Sequence, residues 1–318
     1  YSAMAMEHKK EKKKIGMKKE ESRTDQKNKK SSRKYNKEPV QDGFPELWWV
    51  AGLSTCIKLL LIPSYHSTDL EVHRNWMAIT SSLPIDRWYF DETSQWTLDY
   101  PPFFAWYELL LSLFARLIDP VMVDLREGME FSKATHVIYF QRFSVIFSDL
   151  LLYFALWQCV KRWPSNLRRL VVCVAVLLSP GLFMVDHVHF QYNGFLLGML
   201  ILSITYIRDG EDLKGGILFA ILLCFKHLFA VAAPIFFVYL LRHYCKDLFR
   251  FLKLGGSVIC VVLAAFGPFI YYRQVKFIPH IGGNLPKLPI NFYKFPTMPI
   301  IFPGKCILLS FERVPYFF

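Results

Sequence analysis

The sequence has little charge for its length and lacks the short motifs that mark soluble catalytic domains. Only 20% of its 318 residues are Asp, Glu, Lys or Arg, and 53% are hydrophobic, whereas a soluble domain has about 25% charged residues. Because there is no Walker A sequence, no G-x-G-x-x-G and no H-E-x-x-H, nucleotide-sugar chemistry on a soluble domain has no support. The cysteines form no C-x-x-C pair, so neither a disulfide framework nor a zinc site is expected.

Positive charge is concentrated in the first residues of the chain. Residues 1–38 contain 14 Lys or Arg and six Asp or Glu, and the net charge of the whole chain is +12. Residues 1–41 are too polar to form a core and are predicted to be a disordered, basic tail, with attraction to anionic lipid as the alternative role. A basic chain can indicate nucleic acid, but the apolar remainder favours a membrane, and no nucleic-acid partner is expected. The tail and the apolar run after it resemble an uncleaved anchor.

Seven apolar runs follow the tail and predict an all-α, polytopic membrane domain over residues 42–275. The runs are 45–63, 102–118, 137–160, 170–185, 194–207, 216–241 and 255–272. About 20 apolar residues cross a bilayer, so the first, third and last runs fit a span, whereas the second, fourth and fifth are short. Lys226 and His227 interrupt the sixth run, and several of these helices could be tilted, broken or re-entrant.

Charge in the connecting segments predicts the orientation. The basic tail places the start of the first run in the cytosol. The segment 64–101 has six acidic residues and two arginines, so it is predicted to lie on the far side. Four basic residues place the loop near residue 165 in the cytosol, and these are Lys161, Arg162, Arg168 and Arg169. Counting every run as a full crossing puts that loop on the far side, so either the run 102–118 does not cross or the charge rule fails.

Residues 276–318 have a different character from the runs before them. They contain seven prolines and no clean apolar run. Because proline breaks helices, this atypical segment is predicted not to form a membrane helix.

Residues 66–83 predict an amphipathic helix that carries several candidate site residues. Thr68 and Glu71 form a T-x-x-E capping box, so the helix is predicted to begin near Asp69. One apolar stripe follows at helical spacing and consists of Val72, Trp76, Ile79 and Leu83. Such a helix is expected to lie on the membrane surface with its aromatic side chains at the level of the lipid headgroups.

Asp69 and Asp99 are candidate general bases for deprotonating a hydroxyl. Pro101 and Pro102 predict that another helix begins directly after Asp99, so both aspartates lie at helix starts on the same side of the membrane. Capping of the two helices is the alternative explanation. Nine of the 22 residues from 86 to 107 are aromatic, which fits an interfacial belt or a wall that binds sugar or lipid.

The segment 186–194, D-H-V-H-F-Q-Y-N-G, is the second candidate site. Asp186, His187 and His189 are metal ligands by type, but D-x-H is a weak metal signal and no metal is predicted. Hydrogen bonding of the His, Gln and Asn side chains to a phosphate or sugar is the preferred interpretation. A plain polar loop is the alternative.

Charged residues inside apolar runs form the third set. Lys226 and His227 are expected to face a cavity, with phosphate contact as a role for Lys226 and snorkelling from a helix end as the alternative. Arg142 and Asp149 are seven residues apart, so they share a helix face and are predicted to pair or to line one cavity. A transporter or channel is the competing function, but the acidic residues cluster in a loop instead of within the runs.

Five strings resemble the endoplasmic-reticulum glucosyltransferases of asparagine-linked glycosylation, which use dolichyl-phosphate glucose. They are STDLEVHRNWMAIT, SQWTLDYPPFFAWYE, YFQRFSVIFSDLL, VDHVHFQYNGFLLG and LLCFKHLFAVAAP. The resemblance runs from about residue 45 to 272 and implies a multi-pass membrane glycosyltransferase of the GT-C fold. Within the family, EVHRNW and TLDYPPFFAW are most similar to the members that add the second glucose.

This resemblance implies a reaction and a location. Glucose would pass from dolichyl-phosphate glucose to the terminal glucose of Glc1Man9GlcNAc2-diphosphodolichol, forming an α-1,3 linkage with inversion and using no cofactor. Addition of the first glucose and an inactive truncated form are the alternatives. The enzyme would lie in the endoplasmic-reticulum membrane, with a luminal active site and contacts to membrane lipids. Because members of the family are longer and carry further helices, the resemblance also implies that the chain is incomplete at its C-terminus.

The resemblance also assigns roles to residues. Inversion requires one base, and Asp69 in the S-T-D-x-E string matches the catalytic carboxylate of the family, while Asp99 would orient the acceptor. Lys226, His227, His187 or His189 would stabilise the departing phosphate. The substrate-binding residues are therefore predicted to be Glu71, Arg74, Trp76, Tyr100, Asp186, His187, His189, Gln191, Tyr192, Lys226 and His227.

Overall fold

The computed structural model describes residues 45–126, 128 and 134–272, and the strands β1 (Ile301–Phe302) and β2 (Lys305–Cys306). The two strands pair antiparallel, with Ile301 opposite Cys306. The predicted disordered tail lies outside the described residues, and so does the segment 276–318 apart from these four strand residues.

The rest of the described chain is helical, which confirms the all-α prediction. The helices are α1 (Pro45–Leu60), α2 (Asp69–Ser82), α3 (Pro102–Ile118), α4 (Thr135–Ser148), α5 (Leu150–Val160), α6 (Asn166–Leu177), α7 (Asn193–Arg208), α8 (Asp212–Phe225), α9 (Ala233–His243) and α10 (Leu248–Tyr271). Short 3₁₀ segments lie at Ile85–Arg87, Pro120–Val123 and His227–Ala232. A helical turn, Pro180–Leu182, leads into a π-helix, Phe183–Val188.

Three stretches of the described chain are helical, long and apolar enough to cross a membrane. They are Thr135–Val160, where α4 and α5 continue one another, Asn166–Val188 and Leu248–Tyr271. The fourth apolar run was expected to be too short, and this is wrong because the π-helix extends it to Val188. The first run was expected to fit a span, but its helix has 16 residues in the described part, fewer than the about 20 that a span needs.

Helix α2 begins at Asp69 as predicted, but its cap and its surroundings differ from the prediction. The Thr68 side chain makes no capping hydrogen bond; instead the Ser67 Oγ accepts from the backbone N–H of Asp69 at 3.2 Å. The residues from His73 to Thr80 are all buried, so this part of the helix is covered by protein on every side, and its position at the membrane surface stays a prediction. Its apolar stripe was identified correctly, but polar positions beside it are buried as well.

Helix α3 explains this burial because it lies alongside α2. It begins at Pro102 as predicted, and its Glu108 Oε1 is 2.7 Å from His73 Nδ1 of α2. Asp119, directly after α3, accepts a hydrogen bond from Val121 N–H at 3.0 Å and so fixes the 3₁₀ turn that follows. Its carboxylate also lies 2.8 Å from His136 Nε2 of α4. Both ends of α3 therefore lie on the side of the molecule where α2 lies and α4 begins.

The remaining helices connect two ends of the molecule. At one end, α5 and α7 terminate together, since Arg208 donates to the carbonyl of Cys159 at 2.6 Å and Arg162 pairs with Asp209 at 2.6 Å. At the other end α7 begins beside α2. The 16 residues of α7 separate the two ends by about 24 Å.

A Cβ on Gly198 would lie 2.8 Å from the Leu152 nitrogen, so glycine permits the close approach of α7 to α5.

The sixth apolar run is broken, as predicted. Helix α8 ends at Phe225, and Lys226 is extended, with φ −147° and ψ 114°. The 3₁₀ segment follows, and Pro234 lies in the first turn of α9. The break places Lys226 at the end of the molecule where α2 begins.

Part of the aromatic segment 86–107 is core. Trp88, Tyr89 and Phe104 are each at most 3% exposed, and Tyr89 and Trp88 pack against the ring of Phe269 near the end of α10. These three rings fold the loop onto the helices, whereas Phe90 is 41% exposed. An interfacial belt or a sugar-binding wall stays a prediction for the rings that are not buried.

Candidate active site

Asp69, at the head of α2, meets the polar segment 186–194 although the two are far apart in sequence. Gln191 donates its Nε2 hydrogen to Asp69 Oδ2 at 2.9 Å, and His189 Nδ1 lies 3.1 Å from the same oxygen. The Asp69 side chain is 29% exposed, so a substrate hydroxyl can reach its carboxylate. The structure thus brings together three of the predicted site residues.

A strained turn presents His189 and Gln191 to the same carboxylate. Phe190 between them has φ 81°, a region that bulky side chains rarely occupy and that costs about 1–3 kcal/mol. Its ring is fully buried and lies 5.3 Å from the His73 ring and 5.6 Å from the Tyr192 ring. This burial holds the backbone in the strained conformation, so its two neighbours both face Asp69.

Gln191 joins the Asp69 carboxylate to the Lys226 ammonium group. Its Oε1 accepts from Asn193 Nδ2 at 2.9 Å and from Lys226 Nζ at 3.4 Å. Lys226 also donates to Asn193 Oδ1 at 3.1 Å and lies 5.3 Å from the centre of the Tyr100 ring. Lys226 therefore faces this polar group, as predicted.

Ser67 fixes the orientation of His189. The Ser67 hydroxyl donates to the carbonyl of His189, and its Oγ lies 2.8 Å from His189 Nδ1. Because the hydroxyl hydrogen is used for the carbonyl, Nδ1 donates its hydrogen to Ser67 Oγ. This hydrogen bond holds the His189 ring beside the Asp69 carboxylate.

Asp186 is a helix-capping residue buried below this group. Its Oδ1 accepts from the backbone N–H of Asn193 at 3.0 Å, and its Oδ2 accepts from Gly194 N–H at 2.5 Å. The side chain is 0% exposed. Asp186 thus fixes the start of α7 and the position of Asn193 and does not face a substrate.

His187 belongs to a second, buried polar cluster. Asp149 Oδ2 lies 2.8 Å from Lys58 Nζ and 3.0 Å from His187 Nε2, and Lys58 also donates to the Tyr153 hydroxyl at 3.0 Å. The side chains of Asp149, Lys58 and His187 are each about 1% exposed. His187 therefore cannot contact a phosphate in this structure, contrary to the prediction.

Arg142 and Asp149 do not pair, which corrects another prediction. Arg142 donates to the carbonyls of His187, Val188 and Tyr65, whereas Asp149 binds Lys58. The two side chains share a helix face, but α4 ends at Ser148 and different partners are packed against each. Arg142 instead ties the π-helix to the loop that precedes α2.

Three further residues predicted to bind substrate have structural roles. Arg74 is 0% exposed and donates to the carbonyl of Asp124 at 2.7 Å, away from Asp69. Burial lowers the pKa of Arg74 to about 10, although Asp124 and Glu71 partly offset this effect, so the guanidinium stays charged at neutral pH. Trp76 donates to the carbonyl of Thr97 at 3.0 Å, and Tyr192 bonds Ser144 at 2.7 Å in the core.

The other predicted residues lie around the site. Asp99 is exposed just before α3. It lies close enough to Tyr89 to raise the pKa of that tyrosine, although burial of the Tyr89 side chain is the larger cause. Glu71 lines a cleft beside the start of α2. His227 is half-buried in the 3₁₀ segment, and its role stays a prediction.

Sequence reasoning missed Ser67 and Asn193 as individual site residues. Both belong to strings that the sequence singled out, but hydroxyl and amide side chains in polar loops carry no distinctive signal. Among the residues that the structure describes, no group of three or more His, Cys, Asp or Glu side chains is arranged to hold a metal ion.

The fold and site describe a polytopic membrane protein with a carboxylate-centred polar site at one end of its helices. The chain belongs to the ALG6, ALG8 glycosyltransferase family, whose model matches residues 54–281. This confirms the family resemblance that the sequence strings indicated.

Three relatives share the name dolichyl pyrophosphate Glc1Man9GlcNAc2 alpha-1,3-glucosyltransferase. The protein from Arabidopsis thaliana is 58% identical over 235 residues, which are 72% of this chain and 46% of the relative. The protein from Coccidioides immitis is 50% identical over 244 residues, which are 73% of this chain and 48% of the relative. The protein from Bos taurus is 42% identical over 262 residues, which are 74% of this chain and 49% of the relative. The chain thus spans about half the length of these relatives.

Proposed function

We propose that this chain carries the catalytic carboxylate of a membrane glucosyltransferase. The reaction would transfer glucose from dolichyl-phosphate glucose to the terminal glucose of Glc1Man9GlcNAc2-diphosphodolichol, giving an α-1,3 linkage. The acceptor and the linkage follow the names of the relatives. The observation that carries the proposal is the convergence of Asp69, Gln191 and Lys226 at one accessible point.

In the proposed mechanism Asp69 is the general base. An inverting transfer needs one base and an acceptor hydroxyl in line with the departing group. The described contacts of Gln191 and His189 use Oδ2 of Asp69, so Oδ1 is the oxygen that would take the proton from the acceptor hydroxyl. The Gln191 hydrogen bond to Oδ2 holds the carboxylate in its orientation, with His189 beside it, while the hydroxyl oxygen attacks the anomeric carbon.

Lys226 is the proposed partner of the departing dolichyl phosphate. A phosphate gains negative charge as its bond to the anomeric carbon breaks, and a fixed ammonium group stabilises that charge. Gln191 and Asn193 hold Lys226 Nζ close to Asp69, with the Tyr100 ring beside it. Asp99, exposed in the same loop, would orient the acceptor, and the reaction as proposed uses no metal or cofactor.

We propose that the Asp69 end is luminal in the endoplasmic reticulum. At the opposite end lie the basic loop 161–169 and the basic residues Arg242, Lys246, Arg250 and Lys253, which favour the cytosol. Because α3 runs alongside α2 and both of its ends lie on the Asp69 side, it does not add a crossing. Without this crossing, the alternation of membrane crossings and the charge of the loop near residue 165 both predict the cytosol for that loop. The basic tail is then cytosolic as well.

The test is glucosyl transfer by this chain in microsomes from cells that lack their own second-glucose transferase. The microsomes receive dolichyl-phosphate glucose and the monoglucosylated lipid-linked acceptor, and the products are separated by size. We expect one glucose to be added, and Asp69→Asn to lower the rate by about 10²–10⁴-fold. Glu92→Gln, which changes an exposed acid of the same loop, is the matched control.

A normal rate with Asp69→Asn would rule out Asp69 as the base. Transfer to the unglucosylated Man9 acceptor would show instead that the chain adds the first glucose.

A further inference from the structure

A cleft of about 640 Å³ lies beside the start of α2 and outside the set of residues assigned above to catalysis. One wall is the loop from Ile62 to Thr68 together with Glu71, and the other is the first turn of α4, from Thr135 to Tyr139. This volume is typical of sites for small organic ligands.

Aromatic rings with exposed faces line both walls of the cleft. Tyr65 is 75% exposed and Tyr139 is 44% exposed, and the ring of His66 stacks on Tyr65 at 6.4 Å with an interplanar angle of 16°. Tyr89 and Tyr192, in contrast, are each at most 3% exposed. Tyrosine offers an apolar face with a polar tip, and such faces pack against the C–H faces of pyranose rings.

Polar groups between the rings suit a neutral ligand that is rich in hydroxyls. Glu71 and Thr68 line the cleft, and both accept hydrogen bonds from hydroxyl groups. No lysine or arginine is among the described residues that line it, so this part of the lining offers no permanent cation for a phosphate. The chemistry therefore favours sugar rings over a lipid phosphate.

Buried hydrogen bonds hold the two walls in place. Arg142 of α4 donates to the carbonyl of Tyr65 at 3.0 Å, and Gln141 donates to the carbonyl of Leu70 at 2.9 Å. Both side chains are 1% exposed. The Tyr65 backbone is thus fixed while its ring stays accessible, which lowers the entropy cost of binding.

The position of the cleft relative to Asp69 distinguishes the two substrates. Ser67 lines the cleft and also contacts His189, the partner of Asp69, so the cleft adjoins the catalytic group without including it. The single sugar of the donor reacts and must lie at Asp69. Only the acceptor has sugar rings that extend beyond the reacting hydroxyl.

We propose that this cleft binds the mannose-rich part of the acceptor oligosaccharide, with Tyr65 and Tyr139 as the aromatic platform and Glu71 as a hydrogen-bond acceptor. The inference rests on the proposed function for the identity of the sugar chain. It makes Tyr65 and Tyr139 specificity-determining residues at a distance from the base.

The test measures binding of the free oligosaccharide Glc1Man9GlcNAc2, without lipid, to the full chain in nanodiscs. We expect Tyr65→Ala and Tyr139→Ala each to weaken binding by about tenfold, the effect of losing one aromatic anchor. Tyr271→Ala, which removes a tyrosine that is 81% exposed at the end of α10, is the matched control and should leave Kd unchanged.

Absence of binding by the unaltered chain, or equal Kd values for Tyr65→Ala and Tyr271→Ala, would overturn the inference. Glucosyl transfer in the microsome assay separates the two proposals. If the unaltered chain transfers glucose and Tyr65→Ala leaves the acceptor KM as it was, the cleft inference fails and the proposed function stands. If no transfer occurs but Tyr65→Ala weakens oligosaccharide binding, the proposed function fails and the cleft inference stands.

Discussion

At the scale of single residues, Gln191 has the most connected position in the site. A carboxamide is both donor and acceptor, and Gln191 uses its two ends for groups of opposite charge. Its nitrogen binds Asp69, and its oxygen accepts from Lys226 and Asn193. No other side chain described here bonds both Asp69 and Lys226, so Gln191 sets the distance between the proposed base and the proposed phosphate partner.

We predict that Gln191→Leu lowers the rate of glucosyl transfer by about 10–100-fold. Leucine keeps the volume but removes the contacts that orient the Asp69 carboxylate and the Lys226 ammonium group, and positioning contributes strongly to catalysis. The measurement is the initial rate in the microsome assay, with Gln95→Leu, at an exposed position of the loop after α2, as the control. Equal rates for the two variants would show that the bridge has no catalytic importance.

Gly194 is the residue where the site has no space for a side chain. A Cβ at this position would lie 2.0 Å from Asp149 Oδ1, and that carboxylate is held by Lys58 and His187. Glycine therefore allows α7 to begin directly against the buried ionic cluster.

We predict that Gly194→Ala destabilises the protein by about 1–3 kcal/mol, the usual cost of overpacking. Gly52→Ala is the matched control, because Gly52 lies inside α1 with nothing within 4 Å of its Cβ position. The measurement is the Tm of both variants in detergent. A Tm for Gly194→Ala equal to that of Gly52→Ala would mean that Asp149 moves aside at little cost.

At the scale of elements, Asp149 joins three helical segments. It lies between α4 and α5 and bonds Lys58 of α1 and His187 of the π-helix. Such a pair costs energy to bury, but removing one partner leaves the other charge uncompensated. The cluster thus fixes the position of the π-helix that leads to His189 and Gln191.

We predict that Asp149→Leu alone destabilises the protein by about 3–5 kcal/mol, because Lys58 keeps a buried charge without a carboxylate. Adding Lys58→Met should recover at least half of this loss. Glu211→Gln, which breaks an exposed pair with Lys214, should cost less than about 1 kcal/mol. The measurement is chemical unfolding in detergent, and the prediction fails if the double variant is no more stable than Asp149→Leu.

At the scale of the whole molecule, the bundle has two ends of different charge and composition. Helices α5 and α7 end together in a basic region, while α2, α3 and the Asp69 group lie at the opposite end. In the proposed topology, helix α3 lies at that second end along its length and does not cross to the basic end.

We predict that glycan acceptor sequences introduced at residues 91–93 and 124–126 both become glycosylated in microsomes. A sequence introduced at residues 163–165, with Pro164 replaced because proline blocks the acceptor sequence, should not. The physical reason is that α3 returns its end to the side on which α2 lies, so the first two positions face the lumen together. Gel mobility before and after glycan removal is the measurement, and glycosylation at 91–93 but not at 124–126 would show that α3 crosses.

The sequence by itself determined the features that depend on neighbours along the chain. Asp69 and Pro102 begin helices as expected, and Lys226 breaks the sixth apolar run, because capping groups, proline and charge act within a few residues. The strings that indicated the family are local as well. Asp69, His189, Gln191 and Lys226 could be named for the same reason. Asp69 stands at a predicted helix start, His189 and Gln191 lie in a polar segment between two apolar runs, and Lys226 interrupts an apolar run.

Only the tertiary structure decided which of these residues meet. Asp69 and Gln191 are 122 positions apart, and nothing in the sequence distinguished Lys226, which faces the site, from Arg74, which is turned away from it. The same holds for His187 and His189, two residues apart, of which one is buried with Asp149 and the other contacts Asp69. The directions of the two histidine side chains depend on the π-helix and on the positive φ of Phe190. Both features exist only because the packed helices bury the Phe190 ring and form hydrogen bonds to the nearby backbone.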